Sequence, residues 1–110
     1  MTDGDAVARL RAMCGSPRDG ALLRVSLANA LIATGDRAAA IAELHRATGF
    51  DVDYSAAWKL LGKILAETGD AAGAVNAYEC GIAAAAKRGD KQAGKEMAVF
   101  LRRLEKSAGG

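Results

Sequence analysis

Lys59 and Lys63 stand four residues apart, one turn of a helix, so both ammonium groups fall on one face. Such a pair can hold a carboxylate, either a peptide C-terminus or a side chain of an acidic segment. Left alone, the same pair is a solvated surface. No other residues gather in a reactive pattern. His45 is the single histidine, and Cys14 and Cys80 are the two cysteines. They form no CxxC and no His/Cys spacing that suits a metal, and His45 has no Ser or Cys partner placed to be activated. Gly35, Gly69 and Gly89 each precede an aspartate and read as turn glycines, not as a phosphate-cradling loop. The sequence therefore argues against catalysis, and calls for no metal and no cofactor.

The elements that would position these lysines follow from composition and period. The chain has 110 residues, the size of one domain. It has a single proline, Pro17, and few aromatics. Its many alanines favour closely packed helices over a sheet. Net charge is only +2, which does not mark the whole chain as a polyanion binder. The charge is uneven, with seven Lys/Arg against three Asp/Glu from Lys87 onward. Phosphate contact through Lys91, Lys95, Arg102 and Arg103 is one reading of that end, and a solvated helix face is the other. The one aromatic there, Phe100, falls on the apolar stripe, so no base-stacking platform exists and nucleic acid is disfavoured as a partner. Asp3 and Asp5 occupy the place where a secretory signal needs positive charge. No apolar run is long enough to span a membrane. These features imply a cytoplasmic protein with free thiols.

Along the chain, Val7, Leu10 and Met13 mark a short helix over 4–14. Gly15, Ser16 and Pro17 break it. Asp19 is placed to cap a second helix, with Leu23, Leu27, Ala28 and Leu31 on one face, running to Thr34. Gly35-Asp36 stops that helix and starts a third over 37–48, with Ala40, Ile41, Leu44 and Ala47 as its stripe. Residues 49–53 read as a linker, with Asp53 capping a fourth helix over 54–67. Trp58, Leu61, Gly62 and Leu65 are its inner face. Gly69-Asp70 repeats the turn, and a fifth helix runs to Lys87 with Ala74, Val75, Tyr78, Gly81 and Ile82 inward. Gly89-Asp90 precedes a last helix over 90–107, striped by Ala93, Met97, Phe100, Leu101 and Leu104.

Gly35-Asp36 and Gly69-Asp70 are 34 residues apart, as are Leu27 and Leu61, Leu31 and Leu65, Ala40 and Ala74, Ile41 and Val75, and Leu44 and Tyr78. A fixed period with matched residue classes signals stacked helical hairpins. Trp58, Leu61, Gly62, Gly69, Asp70, Ala74 and Tyr78 together make W-x-x-L-G, Gly-Asp and A-x-x-x-Y at the proper spacing. On these residues the chain resembles the tetratricopeptide repeat family. The first repeat is similar through Leu27, Ala28, Leu31, Gly35, Ala40, Leu44 and Ala47, but has Arg24 where an aromatic or Leu is preferred, with Leu23 able to substitute. The proline near each repeat end is replaced by Val52 and Ala86. The ending GDKQAGKEMAVFLRRLEK resembles the last helix of short stand-alone bacterial members. The resemblance implies an all-α antiparallel helical-hairpin array, a superhelix of about six helices. It divides into an N-terminal helix over 4–14, repeats over 21–54 and 55–88, and a capping helix over 90–107.

The resemblance also implies a concave groove lined by the first helix of each repeat. Carried over, the lining is Leu22, Val25, Asn29, Ile32 and Ala33, then Ala56, Lys59, Lys63, Ala66 and Glu67. Each set falls on one helical face, beside the core stripe. With Asn29 added to Lys59 and Lys63, the groove suits a carboxylate. Val25 and Ala56 stand where the family's carboxylate clamp for chaperone tails needs polar groups, so that receptor is rejected. The expectation is a non-catalytic module that binds a peptide or protein segment in this groove, an acidic one being a candidate. The alternative is a homo-oligomerisation or assembly scaffold, such as a homodimer, built through the outer helices.

Overall fold

The computed structural model of the chain describes residues 3–108. They form six α-helices and no strand: α1 (Asp3–Met13), α2 (Ala21–Ala33), α3 (Arg37–Phe50), α4 (Ser55–Glu67), α5 (Ala71–Arg88) and α6 (Lys91–Ala108). This is the all-α succession of helical hairpins that the repeat period predicts. The helices fall into two compact units, Met1–Asp51 and Val52–Gly110. In the first, α2 packs against both α1 and α3. In the second, α5 packs against both α4 and α6, and α6 also reaches α4.

The Gly-Asp turns join the helices by one repeated device. Gly35, Gly69 and Gly89 have φ of 86°, 90° and 72°, in the left-handed region that a Cβ disfavours. At the first, the amide of Gly35 donates to Ile32 O and the amide of Asp36 to Leu31 O, both at 2.9 Å. That pair of bonds is the Schellman closure of a helix end. The Asp36 carboxylate then accepts from the amide of Ala39 at 3.1 Å, capping α3. Asp70 repeats this with Leu65 O behind and the Gly73 amide ahead. Asp90 does so with Ala85 O and the Ala93 amide.

Two predicted caps are corrected. Asp19 does not cap α2, whose N-cap is Gly20 without a side-chain bond. Its carboxylate is instead engaged by Arg24. Asp53 does not cap α4, because Tyr54 holds the N-cap position and Asp53 faces Lys87 at 3.4 Å. The linker expected over 49–53 is also shorter, since α3 continues through Gly49 to Phe50. With no proline nearby, nothing in the sequence forces an earlier end.

Leu23, Leu27, Ala28 and Leu31 of α2 are buried with Ala40, Leu44 and Ala47 of α3. In the second unit Leu61, Ile64 and Leu65 are buried with Ala74, Tyr78 and Met97. Gly62 is required by Tyr78: a Cβ on Gly62 would lie 2.6 Å from the ring's Cε1. Gly81 likewise leaves room for Met97 Sδ and for Trp58 Cβ. Tyr78 also meets Phe100 of α6, with ring centroids 5.7 Å apart. Trp58, expected on the inner face, is only half-buried. Its indole N–H donates to Val52 O at 2.7 Å, which holds the ring at the edge of the core, beside the segment leading into α4.

Gly62→Ala is expected to destabilise by about 1–3 kcal/mol, because the Tyr78 ring must move in a full core. Trp58→Ala is expected to cost about 2 kcal/mol, below the range for a fully buried aromatic. Urea unfolding followed by far-UV circular dichroism checks both. A Gly62→Ala protein with an unchanged midpoint contradicts the close approach.

Candidate functional site

Each unit presents one of the first-helix faces named from sequence. On α2, Leu22, Val25, Asn29, Ile32 and Ala33 recur at helical spacing away from buried Leu23, Leu27 and Leu31. Leu22 is 69% exposed, and Asn29 is exposed. Val25 and Ile32 are half-buried. The face is therefore mostly apolar, with one carboxamide at its middle. A Leu with this much surface in water gains from any partner that covers it.

On α4, Ala56, Lys63 and Glu67 are exposed, and Lys59 and Ala66 are half-buried. Lys63 has no ion-pair partner among the described residues. Lys59 is engaged: its ammonium pairs with the Glu96 carboxylate of α6. Gln92 donates to the other Glu96 oxygen at 3.1 Å. The bond from Lys59, then that from Gln92, holds the Glu96 carboxyl below its ordinary value of 4.5. Further along, Ala66 shares a shallow apolar notch of about 210 Å³ with Tyr78, Phe100, Arg103 and Leu104. The Tyr78 hydroxyl is pushed up by burial and by the charge of Glu67.

Sequence reasoning missed a charged cluster in the first unit. Arg24 donates through Nε and Nη2 to Asp19 at 2.9 and 2.7 Å, and through Nη1 to Glu43 at 2.7 Å. Glu43 is 8% exposed and also accepts from Arg46 at 3.1 Å. The Arg24 guanidinium also lies over the Phe50 ring, 5.7 Å from its centroid. Hydrogen bonds from Arg24, then from the Gly15 amide, hold the Asp19 carboxyl far below its ordinary value. Bonding to Asp19 and Glu43 raises Arg24 in turn. The signal was present in the sequence as two departures from the repeat. Arg24 replaces the aromatic seen at Trp58, and Glu43 replaces Ala77, at positions one period apart.

Both cysteines are free thiols, and His45 is exposed. Among the described residues no group of His, Cys, Asp and Glu is placed to hold a metal. None of the described helices is long and apolar enough to cross a membrane.

Two units that each carry the same Gly-Asp-joined hairpin define a helical-hairpin repeat module. The chain is 48% identical over 98 residues to a TPR repeat-containing protein of Pseudomonas aeruginosa, covering 89% of this chain and 93% of that protein. It belongs to the tetratricopeptide repeat family. It is also similar to a Bordetella parapertussis protein of known solution structure, at 46% identity and TM-score 0.75, covering 92% of this chain and 88% of that one. The Sgt2 TPR domain of Aspergillus fumigatus matches at 27% identity and TM-score 0.73, over 98% of this chain and 72% of that one. No family model matches the chain. The fold is that of protein–protein interaction modules in general, whose members are generally non-catalytic.

Two measurements check the local chemistry. Arg24→Trp alone is expected to destabilise by about 1–3 kcal/mol, because Glu43 keeps its burial and loses its closest partner. Adding Glu43→Ala should recover much of that loss; a double variant no better than the single one denies the coupling. The depressed Glu96 value fixes the sign of a pH effect. The Lys59–Glu96 link is complete above pH 4.5 and is lost as pH falls through the lower, folded value. Carboxyl carbon shifts of Glu96 followed against pH should show a midpoint under 4.5, and the Lys59→Met variant should bring it back up.

Proposed function

We propose that this chain is a non-catalytic module that binds a peptide or protein segment through the exposed face of the first helix of each repeat, α2 in one unit and α4 in the other. The α2 face contributes Leu22, Val25, Asn29 and Ile32, and the α4 face contributes Lys59, Lys63 and Glu67. The observation that carries the reading is the α2 face. It leaves a large apolar residue, Leu22, in water beside a carboxamide able to bond a peptide backbone. An acidic segment is favoured at α4 by Lys63, which is exposed and unpaired. Lys59 joins it only where a ligand carboxylate replaces Glu96.

Amide-shift titration of the full chain with acidic amphipathic peptides tests the reading. Saturable shifts are expected at residues 22–33 and 56–67, and Leu22→Glu should weaken binding about tenfold or more. Shifts that avoid both faces overturn it.

The second reading is self-association through the outer helices. It is favoured by α6, where Val99 is exposed and Phe100, Leu101 and Leu104 are only half-buried. Sedimentation equilibrium decides it: a mass that stays monomeric across concentration removes this reading.

A further inference from the structure

Both α1 and α3 pack on α2 but not on one another, and the space between them is a cleft, wide open to solvent, of about 580 Å³. Three guanidinium groups line it, Arg11 from the end of α1, Arg24 from α2 and Arg46 from α3, with Glu43 among them. The α3 wall is low, because its other lining residues are Ala39 and Ala42, and Cys14 completes the lining beside Arg11. On the wheel of α2, Arg24 points away from Leu22, Val25, Asn29 and Ile32. The cleft is therefore separate from the face assigned to segment binding, and neither reading depends on the other.

The three guanidinium groups are not equivalent. Arg24 is fixed at the floor by Asp19 and Glu43, with its side chain 13% exposed. Arg46 touches Glu43 through Nη1 alone, and its side chain is 56% exposed. Arg11 is exposed and has no ion-pair partner among the described residues. Asp19 and Glu43 offset two of the three charges, so one positive charge is left over at the rim. Each rim guanidinium presents planar, forked N–H donors, the geometry that matches a carboxylate in two parallel bonds.

We propose that this cleft is a binding site for a carboxylate group, received by Arg11 and Arg46 above the fixed Arg24–Glu43 pair. The carboxylate belongs either to a small free organic acid or to the C-terminus of a peptide. The buried pair does not bind the ligand directly. It anchors Arg46 so that less side-chain freedom is lost on binding.

The full chain, labelled for amide and arginine Nε–Hε resonances, tests the site. It is titrated separately with citrate, with a short neutral peptide bearing a free C-terminus, and with the amidated form of that peptide. Saturable shifts at residues 11–14 and 39–46 are expected with citrate, with the free-acid peptide, or with both. Which probe saturates tells the source, and the amidated peptide should leave the cleft silent. Arg11→Ala and Arg46→Ala are each expected to weaken binding about tenfold. Ala42→Phe, at an exposed position outside the core, should block it without altering the fold. Unsaturated shifts spread over the lysines and arginines of α6, Arg11 and Arg46 variants that bind as tightly as the unaltered chain, or binding of the amidated peptide as strong as the free acid overturn the proposal. Unchanged shifts of the α2 face in the Arg11 and Arg46 variants keep this outcome distinct from the segment-binding test.

Discussion

Each hairpin depends on reversing a helix within two residues, and the Gly-Asp pair is what allows it. A helix end leaves carbonyls unbonded and a helix start leaves amides unbonded. At Asp36 and Asp70 one residue serves both ends, its amide closing the helix behind and its carboxylate capping the helix ahead. Glycine before it supplies the left-handed turn. With the joint fixed, each hairpin brings its apolar stripes face to face, and the spacing between joints sets the repeat. Every buried contact of α2 with α3, and of α4 with α5, follows from that local geometry.

The two hairpins then solve one packing problem with different residues. Where the second has Gly62 under a buried Tyr78, the first has Ala28 with a buried Leu44. The smaller residue on one helix accompanies the larger on the other, as a close-packed interior requires. The same holds one step outward. The second hairpin has Trp58 and the buried Ala77; the first has Arg24 and the buried Glu43. A charge taken out of water needs its counter-charge, so these two positions change together. An Arg or a Glu placed singly at either position would be a defect. Grafting one hairpin's helix onto the other's partner would therefore mismatch at two pairs of positions, even though the helices share their apolar stripe.

The parts of this structure that were legible in the sequence are those written in local pattern. The Gly-Asp joints, the stripes at helical period and the Gly62–Tyr78 approach are all carried by spacing within one repeat. The family followed from the same residues. Asp19 and Asp53 misled because a good capping residue is also a good ion-pair partner. Asp19 went to Arg24, five residues on, and Arg24 is itself held in place from α3 by Glu43. Trp58 misled through class: a large aromatic suggests core, yet its indole N–H needs an acceptor and found one at the edge, on Val52. The partner of Lys59 was illegible for a different reason. Glu96 lies on another helix outside either repeat, and no period connects the two positions.

That last contact bears on what it means to occupy the α4 face. Glu96 is tethered to the same chain, so it sits opposite Lys59 at an effective concentration no free acidic side chain reaches easily. An incoming carboxylate there does not fill a vacancy; it evicts a resident. Occupancy of Lys59 is thus an exchange of one ion pair for another, nearly neutral in Coulomb energy. Selection between ligands must then come from what surrounds the exchange, including the apolar contacts a segment brings with it and the second charge it offers to Lys63. Under the segment-binding proposal the resident glutamate would be a filter, indifferent to charge alone and yielding to charge delivered on the right framework.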